Sequence, residues 1–199
     1  MRLGNAWHTG SMASVRGRDL LDAIGFVREA YGASALEHIA ARMPEPELSC
    51  FRGSIREVAW YPLDALVAFL RTAQATLAPG DSGFCRRQGQ YAAQRQREAF
   101  LAVMVATPEA RAMTAPTIWR MFYDTGRLVV VGGDPTTARG QIHAFPTTPE
   151  LCERFRGIWE GMVSTADRPA SATETRCVLR GDAFCEFEVS FATETANSA

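Results

Sequence analysis

Three cysteines and one acid in the last third of the chain are the residues from which a metal site could be built: Cys152, Glu174, Cys177 and Cys185, the last three in the string ETRCVLRGDAFCEFEVSF. Thiolates and carboxylates ligate divalent ions, and zinc takes four such ligands in a tetrahedron. In CEFEVSF the residues Cys185, Phe187, Val189 and Phe191 alternate with Glu186, Glu188 and Ser190, so Cys185 belongs on the buried face of a half-buried strand. A three-residue loop from Gly181 to Ala183 would pair Leu179 with Cys185 and put Cys177 on the same face; a two-residue loop at Gly181-Asp182 would separate the thiols. The longer loop also keeps the apolar residues together and is the expectation. Glu174 stands at an odd separation from Cys177, which turns it to the other face unless the strand starts after it or bulges there. Cys152 sits on the apolar stripe of the preceding helix. Two readings stay open on this pattern: thiols as small core hydrophobes, or metal ligands, although Cys-x7-Cys is not a standard zinc spacing.

The elements that must position these residues change character along the chain. GRDLLDAIGFVREAYG has helical spacing and a stop at Gly32; SALEHIAARM is a second, shorter helix with Ser34 as cap and Glu37 completing a capping box. WYPLDALVAFL predicts a helix opening at Pro62, with Leu63, Leu66, Val67, Phe69 and Leu70 as its apolar face. A long helical stretch runs from Gly83 to about Val105, and another covers PTIWRMFYDTG. After residue 126 the period shortens. RLVVVGGDP and GQIHAFP are strands, TTPELCERFRGIWEGMV is a helix capped by Thr148, and the cysteine segment closes the domain as a hairpin. The order predicts an α+β fold in which N-terminal helices pack on a small antiparallel sheet. Residues 1–16 are expected as a flexible arm, 17–192 as a single domain and 193–199 as a disordered tail.

The string ETRCVLRGDAFCEFEV resembles the closing hairpin of the 4-vinyl-reductase domain, with its cysteine, Gly-Asp turn and second cysteine before a charged-aromatic strand. That domain is the sensor of bacterial activators that detect phenol and toluene derivatives, and it shares a fold with subunits of the TRAPP vesicle-tethering complex. The resemblance covers residues 146–191, with WYPLDALVAFL similar to a helix further upstream. It implies a structural zinc, held by Cys152, Glu174, Cys177 and Cys185, with Arg176 and Arg180 near enough to offset part of the charge.

Composition narrows the function classes. The chain has 199 residues, a net charge of -1 and 47% hydrophobic residues, which is globular and offers no field for nucleic acid. No apolar run is long enough to span a bilayer, and the start lacks a secretory apolar core. Five cysteines without a leader argue for a reducing, cytoplasmic setting. Arg86, Arg87, Arg95 and Arg97 read as a solvated face rather than a nucleic-acid surface. There is no G-x-G-x-x-G, phosphate loop, G-x-S-x-G or H-E-x-x-H, and His8, His38 and His143 are scattered, so an enzyme ranks last. The expectation is a stand-alone small-molecule sensor, with Trp119, Phe122, Tyr123 and Trp159 walling an apolar pocket for an aromatic-sized molecule. Such a molecule calls for a cavity of about 150 Å³ or more. The alternative is a TRAPP-like dimeric scaffold without a small ligand; a homodimer built on the N-terminal helices is expected in either case.

Overall fold

The computed structural model describes residues 13–98, 108–134, 137–164 and 169–191. Seven α-helices appear among them: α1 (Gly17–Tyr31), α2 (Ser34–Ala40), α3 (Glu45–Leu48), α4 (Leu63–Leu77), α5 (Phe84–Arg95), α6 (Pro108–Phe122) and α7 (Pro149–Val163). Strands β1 (Ser14–Arg16) and β2 (Trp60–Pro62) form a small antiparallel pair. Strands β3 (Arg127–Asp134), β4 (Thr137–His143), β5 (Ala170–Arg176) and β6 (Cys185–Phe191) form an antiparallel sheet in the order β3-β4-β6-β5. The α+β class and the antiparallel sheet are as the sequence predicts. None of the described helices is long and apolar enough to cross a membrane.

The core is laid down by the apolar stripes. Leu20, Ala23 and Val27 of α1, Leu66 and Leu70 of α4, Phe84 of α5, Leu151 of α7 and Phe187 of β6 are all fully buried. Helices α5 and α7 touch backbone to backbone at two glycines where they cross. A Cβ added at Gly89 would stand 2.0 Å from the Arg154 carbonyl oxygen, and one at Gly157 would stand 1.8 Å from that of Arg86. Only glycine allows such an approach, and it sets the positions of Cys152 and Arg154 on α7. Thr148 caps α7 as expected, accepting a bond of 3.3 Å from the Leu151 amide.

Several local expectations are corrected. The end of the supposed N-terminal arm is strand β1, held because Val15 and Ala13 are buried core residues. Ser34 makes no capping bond, since α2 is preceded by Ala33 in helical conformation. The helix expected to run to Val105 leaves α-geometry after Arg95, and residues 99–107 lie outside the described residues. Helix α6 begins at Pro108, before the expected PTIW start, and keeps Pro116 in its interior. The tail expected at 193–199 also lies outside the described residues.

The closing hairpin has neither of the short loops considered. Strand β5 stops at Arg176, a 3-10 turn covers Val178–Arg180, Gly181 takes a left-handed conformation at φ 93°, and β6 begins only at Cys185. The register slips between Glu174 and Arg176: Glu174 faces Phe187 and Arg176 faces Glu186, leaving Thr175 as the bulged residue. Opposed residues share a face, so Glu174 points inward with Phe187 while Thr175 and Arg176 do not, and the strand resumes its inward phase at Cys177.

Candidate functional site

The bulge answers the strand-phase objection to Glu174. Ligand-capable atoms of Cys152, Glu174, Cys177 and Cys185 all lie within 4.8 Å of one another. The Cys152 and Cys177 sulfurs are 3.6 Å apart, and those of Cys177 and Cys185 3.9 Å. The three thiols are buried and, with Cys50 and Cys85, all five cysteines are free. The loop is pinned around them: the Cys177 amide donates to Asp182 Oδ2 at 2.8 Å, and the Val178 amide donates to Cys185 Sγ at 3.5 Å. Arg180 donates to Glu174 Oε2 at 3.2 Å, while Glu174 Oε1 is buried with no partner. Arg176, expected to share in charge compensation, lies over the Phe184 ring instead, 5.2 Å from its centre. Donation from the Cys152 thiol draws the Cys185 thiol down to about 6, outweighing burial and helped by the Val178 amide. That same contact, with burial and the Glu174 carboxylate, pushes Cys152 up.

A second site lies between α5, α6, α7 and the sheet. Its wall includes all four aromatic residues singled out from the sequence, Trp119, Phe122, Tyr123 and Trp159, around a cavity of about 70 Å³. That is about half the volume an aromatic-sized molecule calls for, so the expected aromatic-sized ligand does not fit this cavity, for a visible reason. Trp119, Tyr123, Phe145 and Phe155 pack ring on ring, with centres 4.5 Å apart for Trp119 and Tyr123 and 5.0 Å apart for Trp119 and Phe145. These contacts fill space that a ligand would otherwise take. The Trp159 ring rests against Gly140 of β4, where a Cβ would come within 2.3 Å of it.

One end of this cavity carries charge that the sequence reading missed. Arg154 of α7 is fully buried. Its Nε donates to Gln88 Oε1 and its Nη1 to the Tyr123 hydroxyl, both at 2.8 Å, and its Nη2 to Asp19 Oδ1. Burial pushes the Asp19 carboxyl up even against the Arg154 charge, and burial likewise pushes the Tyr123 phenol up. The signal was available. Arg154 falls between Leu151, Phe155 and Ile158 on a helix, a charge set into an apolar stripe, and Asp19 precedes Leu20 in the same manner on α1. A buried charge of this kind needs a partner, so each announces the other.

The remaining singled-out residues are dispersed. His38 is exposed on α2; His143 bonds Gln141 at 3.0 Å and packs at a tilt against the Phe184 ring; His8 lies outside the described residues. Three of the four arginines of the basic face are engaged by acids, Arg86 on Glu160, Arg87 on Asp81 and Arg95 on Asp22.

No protein-family model matches the chain, and no curated protein matches it in sequence. Solved structures do match in fold. A variant of an H-NOX protein from K. algicida, in the Fe(II) unliganded state, aligns over 90% of this chain and 98% of its own with 10% identity and TM-score 0.68. The H-NOX protein from S. oneidensis in the Fe(II)NO ligation state aligns over 89% and 99%, with 10% identity and TM-score 0.67. An H-NOX structure solved to probe heme distortion aligns over 90% and 95%, with 12% identity and TM-score 0.59. These likenesses establish the fold and correct the resemblance read from the closing hairpin: the neighbours are H-NOX domains, not 4-vinyl-reductase domains or TRAPP subunits. The structural zinc implied by that resemblance falls with it, since the cofactor named among the neighbours is heme.

Proposed function

We propose that the chain is a small-molecule-binding sensor domain on the H-NOX fold. The observation that carries this is the pocket between α5, α6, α7 and the sheet, apolar over most of its wall and closed at one end by the Asp19–Arg154 pair. A few placed polar groups in an apolar cavity are the usual make-up of a ligand site. A scaffold module has no need of such a cavity, so the dimeric-scaffold alternative is not favoured. Among the described residues no nucleophile–base pair lines it, so an enzyme is not the favoured reading.

Heme, the group of the structural neighbours, does not fit the residues present. Among the described residues no histidine lines the pocket. The side chains there that could approach iron are Tyr123 and Met162. The Tyr123 hydroxyl already takes Arg154, and burial keeps the phenol protonated when a ligand would have to be phenolate. The cavity, at about 70 Å³, is far below the ~300–1,000 Å³ of cofactor pockets. The ligand of this reading is therefore a compact organic molecule rather than a macrocycle.

The cluster of Cys152, Glu174, Cys177 and Cys185 remains, as a proposal, a ligand set for a thiophilic ion of unassigned identity; the 4.8 Å span of its donor atoms supports this. The homodimer likewise stays a proposal, tested by light scattering at tens of micromolar.

The pocket is tested by titrating the purified chain with compact organic molecules of about two to five heavy atoms, short alcohols and small alkanes among them, while following the side-chain N–H resonances of Trp119 and Trp159. Saturable shifts at both indoles, abolished by Ala115→Leu, which fills the cavity from α6, are the expected result. Absence of any saturable shift with every probe would overturn the reading.

A further inference from the structure

The polar side chains at one end of the pocket are turned on one another rather than toward the space. The three guanidinium nitrogens of Arg154 go to Gln88, Tyr123 and Asp19, and the Tyr123 hydroxyl serves the Asp19 carboxylate. Trp119 Nε1 donates to the Thr125 carbonyl at 2.8 Å, and the Gln96 side-chain amide donates to Asp22. The surface that faces the cavity is therefore almost wholly apolar, although charged residues border it. The space exists because Ala92 and Ala93 of α5 and Ala115 of α6 end at Cβ on its wall, while Ile118, Leu128 and Ile142 supply branched surface around it. Protein interiors seldom leave such a space larger than a water molecule. Water is a poor occupant here, since it needs two to four polar partners and the groups at the polar end are taken up by one another.

We propose that the pocket takes a small hydrocarbon, a saturated or unsaturated chain of about three carbons, four at most. This rests on the sensor reading above and specifies the ligand class. The size follows from the volume. An apolar cavity of about 150 Å³ stays dry and holds the six carbons of benzene, so a cavity of about 70 Å³ holds roughly half as many. The chemistry follows from the wall. A hydroxyl or carbonyl group would give up its bonds to water and find no replacement, and an ion would give up far more. A two-atom molecule leaves much of the space empty and forfeits the contacts that a filled cavity makes.

Methyl-for-hydroxyl pairs test this on the full chain: propane against ethanol and isobutane against propan-2-ol, with the gases supplied under pressure. Each pair keeps its heavy-atom count and its shape. Titrations followed at the Trp119 and Trp159 indole resonances give the dissociation constants. Each hydrocarbon should bind about ten-fold more tightly than its alcohol or better, the penalty for burying an unpaired hydroxyl. Along ethane, propane, butane and pentane the affinity should rise to about three or four carbons and then fall, whereas partition onto an exposed surface would keep rising with each methylene. Leu128→Ala, which enlarges the space from β3, should move the maximum to a longer chain, and Ala115→Leu should abolish binding. Circular dichroism reports whether each variant folds, and the series on the unaltered chain decides should neither do so. Alcohols that bind as tightly as their hydrocarbon partners overturn the hydrocarbon assignment and leave the pocket reading standing. Affinity that climbs steadily to pentane overturns the assignment to this cavity. Absence of binding by every hydrocarbon and every alcohol overturns the pocket reading itself.

Discussion

Replacing Gly157 by Ala tests the seam on which both sites depend. Helix propensity alone favours the change by about 0.8–1 kcal/mol. The geometry opposes it: the new Cβ would lie 1.8 Å from the Arg86 carbonyl oxygen, and Arg86 C and Gln90 N follow at 2.7 and 2.9 Å. All three are backbone atoms, so no rotamer can yield. Ordinary contact begins near 3.4 Å, so α5 and α7 must part by more than an ångström. That strains the Arg154 to Gln88 bond and the Arg86 to Glu160 pair, which both cross the seam. Overpacking of this kind costs about 1–3 kcal/mol or more, and with two polar links loosened the net loss should be ~2–4 kcal/mol after the propensity gain. For a chain of this length that lowers Tm by roughly 5–15 °C. Urea unfolding and a thermal melt followed by circular dichroism are the assays. Gly53→Ala is the control, since a Cβ there meets nothing within 4 Å, and it should stay within about 0.5 kcal/mol of the parent. A Gly157→Ala protein as stable as the parent, or more so, would refute the argument from close approach.

Arg154→Met should cost about 3–5 kcal/mol by leaving Asp19 buried without its counter-charge, and adding Asp19→Asn should recover part of it; urea titration of the cycle measures the coupling. Glu160 is buried, which alone would raise its pKa, but the Arg86 pair with the Ala172 amide and Gln90 holds it below the usual carboxylate range. Its contribution is therefore present above the ordinary value of about 4.3 and is lost as pH falls through the lower folded value; Glu160→Gln should flatten the acid side of the stability profile below about pH 5, measured by urea midpoints. Cys177→Ser and Cys185→Ser should each lower Tm more than Cys50→Ser, because the first two are buried at the donor cluster and Cys50 is only half-buried. Elemental analysis of the parent and of Cys185→Ser reports whether an ion contributes: parallel loss of bound metal supports the ligand set, and a metal-free parent returns the thiols to core filling.

Much of the fold was legible because stripes and alternation are local. The helices at 17–31, 63–77 and 149–163, and the strand at 185–191, follow from residue spacing alone. What was not legible is non-local or depends on a single backbone detail. The pairing of β1 with β2 joins residues far apart in sequence. The bulge at Thr175 decides on which face Cys177 falls relative to Glu174, and no residue type there announces it. The cysteine group was therefore found as a set of candidates, but on the wrong loop and through a family resemblance that the fold does not support. The aromatic wall was chosen by residue type; the ion pair beside it was overlooked because only the apolar members of the two helical stripes were read, and Arg154 and Asp19 lie 135 residues apart in sequence.

The glycine seam also governs where the molecule can give. Two helices touching backbone to backbone slide or separate only by losing contact altogether, so α5 and α7 act as a single beam. Opposite them stands α6, which lacks one internal amide donor at Pro116 and carries Met113 and Met121 toward solvent. An occupant larger than the present cavity would therefore have to be accommodated at α6 rather than at the α5–α7 seam. On the proposed sensor reading, occupancy of the pocket would thus be expressed as the tilt of one helix, presented outward at the exposed Met113 and Met121.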